Sequence, residues 1–219
     1  MLEKHSRFFH SLQQRLSQTL PGATAHEKMA SSMRASSQFR RTPNQKTRQS
    51  AVLLLLYPYQ GELFLPLILR PDYDGVHAGQ VALPGGGYEL YDRTLIRTAL
   101  REAQEEIGIK ASDVRVLGQL TPIYVAASNY QVQPVVGYLP YRPDFFPDIR
   151  EVADIIELSL SLLADKGIVG TKEILVRNVL IQAPFYGVNT HIVWGATAMM
   201  LSEFLTLLEE MEKAGGSAL

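Results

Sequence analysis

Residues 85–109, GGGYELYDRTLIRTALREAQEEIGI, restrict what this chain can fold into more than any other stretch, because a glycine run leads directly into a helix with two unlike faces. Leu95, Ile96, Ala99, Leu100, Ala103 and Ile107 recur at the spacing of one helical face, and Gly108 follows where helices commonly stop. At about 100° per residue, Glu102, Glu105 and Glu106 share a sector of roughly 100° beside the apolar one. Three carboxylates on one face repel each other. Something positive has to hold them, and the partners on offer are Arg101, four residues before Glu105, and divalent cations. Oxygen donors with no cysteine or histidine beside them favour Mg²⁺ or Mn²⁺ over zinc, and such ions share their shell with phosphate. A charge run alone is normally a solvated helix face. Here Pro84, Gly85, Gly86 and Gly87 precede it, and glycines let backbone amides and carbonyls come close to a metal or a phosphate.

Arg101, Glu102, Ala103, Glu105, Glu106, Gly108 and Ile109 fill the second half of the pattern G-x5-E-x7-R-E-U-x-E-E-x-G-U, where U is a bulky apolar residue. The stretch therefore resembles the signature of the Nudix hydrolases. Five fixed identities at roughly 6% usage each coincide by chance about once in a million windows. The first half departs from the pattern: Arg93 stands where a glutamate is expected, Asp92 sits one place earlier, and the loop counted from Gly86 is one residue longer. That spacing, with its aspartate, resembles the coenzyme A diphosphatase branch. So do HAGQVALPGG at 77–86, NYQVQPVVGYLP at 129–140, EVADIIELSLSLL at 151–163 and VWGATAMML at 193–201. The likeness covers about residues 50–205.

The resemblance implies an α/β fold, a Nudix-type α/β/α sandwich with a mixed β-sheet, to which this chain adds an N-terminal helix. It implies a metal-dependent diphosphatase acting on a small-molecule nucleoside diphosphate derivative. Mg²⁺ or Mn²⁺ would be held by Glu102, Glu105 and Glu106, with the Gly86 carbonyl and the later Glu151 approaching. Arg101, Glu102 and Glu105 are the catalytic candidates, Arg101 orienting the carboxylates; which glutamate is the general base stays open. Arg70, His77, Gly85 and Gly86 are the substrate-binding candidates, Arg70 because a guanidinium ending a strand beside the site can grip a diphosphate with two hydrogen bonds. Coenzyme A or an acyl-coenzyme A, cut to 3',5'-ADP and a phosphopantetheine-type product, is the leading substrate. ADP-ribose or another dinucleotide is the alternative, because Pro71 and Gly75 stand where the branch carries a serine and a second arginine after Arg70. A non-catalytic binding or regulatory module on the same fold would show a degenerate acidic cluster, and this one is intact. A prenyl diphosphate isomerase on this fold would be expected to use a cysteine, and the chain has none.

The remaining sequence sets the frame. With 219 residues, 46% of them hydrophobic, the chain builds one main domain. The divisions expected are 1–49 for an N-terminal helix and polar linker, 50–213 for the hydrolase domain and 214–219 for a flexible tail. A net charge of −1 gives no field that would recruit nucleic acid or an anionic membrane. The absence of cysteine fits a reducing compartment, the apolar runs at 51–57 and 192–201 fall short of the ~18 residues of a membrane helix, and MLEKHSRFF has no secretory core, so cytoplasm is expected.

Residues 5–20 place Phe8, Phe9, Leu12, Leu16 and Leu20 on one helical face. This helix packs on the domain or on a second subunit, which leaves a homodimer open. Residues 22–50 read as a solvated linker, with the alternative that one or two of Arg34, Arg40, Arg41 and Arg48 reach the site and meet phosphate. AVLLLLYPY and LFLPLILR, joined at Gln60 and Gly61, read as a hairpin. Residues 81–83, VRVLGQL and the two halves of 122–139 read as strands, 151–163 as helical or partly extended, 176–181 and 191–194 as late strands, and 197–213 as a helix. Tyr124, Tyr130 and Tyr186 are candidates to stack on an adenine, and Trp194 reads as core.

Overall fold

Leu53, Leu54, Leu55 and Leu56 are all fully buried, although side chains alternate sides along a strand. A run of that kind demands apolar material on both faces of its sheet. The computed structural model, which describes residues 2–35, 42–72, 77–176 and 179–215, supplies it. Leu53, Leu55 and Tyr57 pack with Ala99, Ala103 and Ile107 on one face. Leu54 and Leu56 pack with Phe8, Phe9, Leu12 and Phe204 on the other. The strand that carries them is β1 (Arg48–Tyr59), and the result is the expected sandwich of helices about a mixed sheet.

Among the described residues the sheet has eight strands. β1 runs parallel to β7 (Tyr130–Tyr138) on one side. On its other side the C-terminal end of β1 turns back into β2 (Glu62–Leu69) through Gln60 and Gly61, both at positive φ, while its N-terminal end pairs with β4 (Gly85–Gly87). β3 (Val81–Ala82) and β8 (Asp154–Ser159) flank β2, and β5 (Arg115–Gln119) and β6 (Ile123–Val125) both pair with β7. A separate antiparallel sheet orders β11 (His191–Trp194), β10 (Val179–Val188) and β9 (Val169–Val176).

Among the described residues six α-helices complete the layers: α1 (Leu2–Leu16), α2 (Ala23–Glu27), α3 (Ser32–Ala35), α4 (Leu95–Ile107), α5 (Leu160–Ala164) and α6 (Gly195–Lys213). α4 covers one face of the sheet, and its small Ala99 and Ala103, both fully buried, let its axis approach β1 closely. α1 and α6 cover the other face, where Phe9 stacks on Tyr138 with ring centroids 3.9 Å apart.

Three local expectations change. α1 ends at Leu16, before Leu20. Residues 151–163 divide into β8 and then α5, with the Ser159 hydroxyl accepting from the Leu162 N–H at 3.2 Å as N-cap. The stretch expected as a polar linker carries α2 and α3, with Ala25, His26 and Met29 buried, because residues far along the chain supply partners that local periodicity does not reveal. Gly75, Arg40 and Arg41 lie outside the described residues. No helix among the described residues is long and apolar enough to cross a membrane.

Candidate active site

α4 is fixed at both ends. The Thr94 hydroxyl accepts from the Arg97 N–H at 3.3 Å, and Gly108 takes the left-handed conformation, φ 73°, while its N–H donates to Gln104 O at 3.0 Å. That fixes which way the acidic face points. It points at β4.

Gly86 is the contact. A Cβ built on it would lie 2.4 Å from the Glu102 carboxylate, a separation real atoms do not adopt, so only glycine lets this carboxylate rest against the backbone. Glu106 lies beneath, 2% exposed, and accepts from the Gly85 N–H at 2.7 Å. Burial pushes its carboxyl up to about 7; Arg70 and the Gly85 amide pull it down, whereas the charges of Glu102 and Glu151 add to the rise. Burial also raises Glu102, against the pull of Arg101 and with a push from Glu105 and Glu151. Glu105 is the outermost of the three, its side chain 56% exposed. Glu151 is exposed at the start of the segment entering β8, near enough for its charge to be felt by both Glu102 and Glu106.

Arg101 organises the group. Its Nε and Nη2 donate to the two oxygens of Asp92 at 2.8 and 3.0 Å, Nη2 donates to Gly87 O at 2.9 Å, and Nη1 lies 2.9 Å from both Glu102 and Glu105. Asp92 is itself buried in a 3-10 turn, where it also accepts from the Glu89 N–H and the Thr98 hydroxyl. This anchor was missed as a site residue in the sequence. Its signal was present, since an aspartate stands one place before the position of the expected glutamate, and Arg93, the residue that occupies that position, turns into positive φ of 63°.

The substrate candidates divide by position. Arg70, just beyond β2, turns its Nη2 to 3.5 Å from Gly85 O and 4.0 Å from the Glu106 carboxylate, so its guanidinium faces the glycine strand. His77 hydrogen bonds the Gln80 amide oxygen at 3.0 Å and lies on the wall of an adjoining cavity. That cavity, about 1660 Å³, starts at Arg70 and Gly85–Gly87 and reaches Trp194 at the end of β11. Gly86 faces Glu102, whereas a Cβ on Gly87 would face the Tyr130 hydroxyl at 3.7 Å, so the glycine strand separates the acidic helix from the cavity. Tyr124 and Tyr130 line it; Tyr186 is 4% exposed and belongs to the core.

The donor set suits a divalent cation. Every candidate ligand is an oxygen, Gly86 leaves bare backbone against the Glu102 carboxylate, and the buried Glu106 feels the charges of Glu102 and Glu151. Among the described residues, however, no three acidic or imidazole side chains stand together as a finished metal cluster. Arg101 draws Glu102 and Glu105 to one side, and the Gly85 amide holds Glu106 on the other.

An acidic helix clamped by arginine against a glycine strand, inside an α/β/α sandwich, belongs here to a hydrolase of pyrophosphate bonds, the class that the family match and the relatives establish. The comparisons place it further. The model of the NUDIX domain matches residues 47–151. The uncharacterized Nudix hydrolase NudL of Yersinia pestis (strain Pestoides F) is 36% identical over 155 residues, 71% of this chain and 77% of that protein. NudL of Yersinia pseudotuberculosis serotype O:1b (strain IP 31758) matches to the same extent. The crystal structure of RenU, a Nudix hydrolase from M. Smegmatis, shares the fold with a TM-score of 0.51 over 77% of this chain and 87% of its own, at 17% identity. The chain belongs to the Nudix hydrolases.

Proposed function

We propose that the chain hydrolyses the diphosphate of coenzyme A or an acyl-coenzyme A, giving 3',5'-ADP and a phosphopantetheine-type product. The observation that carries this reading is the cavity. At about 1660 Å³ it lies above the ~300–1,000 Å³ of common small-ligand pockets, and its lining runs from the glycine strand, where a diphosphate would lie, past Tyr124 and Tyr130 to Trp194. The aspartate at position 92 and the run HAGQVALPGG support the same branch.

Glu102, Glu105, Glu106 and the Gly86 carbonyl would hold Mg²⁺ or Mn²⁺, with Glu151 close by; the ion would neutralise diphosphate charge and make a water more acidic. The chain's own groups do the rest. Arg101, locked by Asp92, sets the carboxylates in register with the glycine strand. Arg70, whose guanidinium faces Gly85 O, grips the diphosphate beside the glycine strand, and His77 contributes to the cavity wall. Glu105, facing solvent and held by Arg101, takes the proton of the attacking water as a phosphorus–oxygen bond of the diphosphate breaks. Such chemistry depends mostly on positioning and charge.

The test is a panel of coenzyme A, acyl-coenzyme A, ADP-ribose, diadenosine polyphosphates and NADH with Mg²⁺ or Mn²⁺, with products identified by mass. 3',5'-ADP from coenzyme A at the highest kcat/KM is expected. Turnover of ADP-ribose or a dinucleotide with coenzyme A inert selects the alternative, for which Pro71 beside Arg70 speaks. No turnover of any member would favour a binding module. Activity should vanish in EDTA and return with Mg²⁺ or Mn²⁺; recovery with zinc alone contradicts the ligand set.

A further inference from the structure

The N-terminal arm lies outside residues 47–151, yet it forms part of the cavity wall. It is buckled there by Glu203 of α6, a fully buried carboxylate that accepts from the Gly22 N–H at 3.0 Å, meets His26 Nε2 at 2.9 Å, and takes the Thr121 N–H and hydroxyl at 3.1 and 2.6 Å. Further along the arm, the Ser32 hydroxyl accepts from the Gln182 N–H of β10 at 3.0 Å. Arg34 then donates from Nη1 to Tyr124 O on β6 at 2.8 Å. The arm thus carries a guanidinium to a chosen place.

That place is chemically distinct from the glycine strand. Tyr124 and Tyr130 lie between, on neighbouring strands, and Tyr130 carries the Arg48 guanidinium over its ring at 4.1 Å. Aromatic faces on a cavity wall suit a base. Beyond them Lys172 is exposed on β9, opposite Ala183 and one pair away from the Gln182 that Ser32 holds. The cavity wall therefore has three cationic side chains, Arg34, Lys172 and Arg70, against two carboxylates, Glu27 and Glu173, and Glu173 accepts from the Gln182 side-chain amide at 2.9 Å. Arg70 sits beside the glycine strand, whereas Arg34 and Lys172 line the same cavity from the arm and from β9.

We propose that Arg34 and Lys172 form a second anion subsite, which takes a phosphomonoester on the ribose of the nucleoside diphosphate substrate. The proposal rests on the diphosphatase reading of the site. A ribose phosphomonoester is the one further dianion such substrates carry, and the subsite would separate phosphorylated from unphosphorylated nucleotides.

Calorimetry with adenosine 3',5'-bisphosphate and with AMP tests this without turnover. The wild-type protein should bind the bisphosphate at least about tenfold tighter, the usual weight of charge-assisted phosphate bonds. Arg34→Gln and Lys172→Gln should each narrow that ratio to below about threefold. A wild-type ratio near one, or a ratio that neither variant changes, overturns the subsite. Cleavage of coenzyme A without such a ratio removes the subsite and leaves the diphosphatase reading standing, whereas a tenfold ratio in a protein inert towards coenzyme A does the reverse.

Discussion

Arg101 aims its five N–H groups at a set of acceptors that lie on three segments: Asp92, the Gly87 carbonyl, Glu102 and Glu105. The hydrogen bond from Arg101 is the main reason the Asp92 carboxyl is held at about 2, below its ordinary 3.8. A depressed acid stabilises the fold above its unfolded value and loses that contribution as pH falls through the folded one. Allowing for solvent screening, Asp92→Asn is expected to cost about 1–2 kcal/mol at pH 7, shrinking towards zero near pH 2, and to lower kcat/KM by at least about tenfold as Arg101 loses its anchor. Urea unfolding at the two pH values checks the first part. Equal midpoints at pH 7 would remove Asp92 from the stability of the site. The neighbouring glycines give a sharper contrast. Gly86→Ala drives a Cβ to 2.4 Å from the Glu102 carboxylate and should lower kcat/KM about a hundredfold, whereas Gly87→Ala meets nothing nearer than the Tyr130 hydroxyl at 3.7 Å and should fold with an unchanged melting temperature. If both alanines depress activity equally, contact between Glu102 and the strand is not what requires glycine.

At the scale of elements, α4 was legible because its apolar stripe and glycine stop lie within one short stretch, to which the structure adds the Thr94 cap. Its two ends differ in strength. Thr94→Ala removes one capping bond and should cost about 1 kcal/mol, while Gly108→Ala meets both a positive φ of 73° and Phe146 atoms at 2.7–3.0 Å, so its loss should be at least twice as large. Chemical denaturation of the two variants ranks them, and a larger loss for Thr94→Ala would reverse the assignment of the stop. The hairpin at Gln60 and Gly61 was legible for the same reason. α2 was not: it has five residues, no apolar period, and a partner in Glu203 that lies 177 residues from His26. β8 was half-legible, because Ile156 and Leu158 are buried on one face and the chain then turns straight into α5, so the two periods blur into one run. In the site, the acidic face and the glycines could be read from spacing. The Asp92 anchor, the 2% exposure of Glu106 and the retreat of Tyr186 into the core depend on packing that spacing does not encode.

On the scale of the whole molecule, the two ends of the chain meet behind the sheet. Phe8, Phe9, Leu12 and Leu16 of α1 share a core with Phe204, Leu207 and Leu208 of α6, and the arm that follows α1 is fastened to the same helix by Glu203. Burial pushes the Glu203 carboxyl up, but bonds from His26 and Thr121 bring it below its ordinary value, so the charged form is the one the fold is built around. Removing a buried charge from such a network leaves its donors without partners. Glu203→Ala strands the amides of Gly22 and Thr121 and the His26 ring, and is expected to cost about 3–5 kcal/mol by urea unfolding. The apolar core of α1 and α6 is untouched by this change, so the domain should still fold, with the arm released from the cavity wall. Trypsin should then cut after Lys28 or Arg34 in the variant at concentrations that leave the wild type whole, and KM should rise more than kcat falls. Equal trypsin resistance and an equal unfolding midpoint would mean that Ala25 and Met29, both buried, hold the arm in place without the carboxylate.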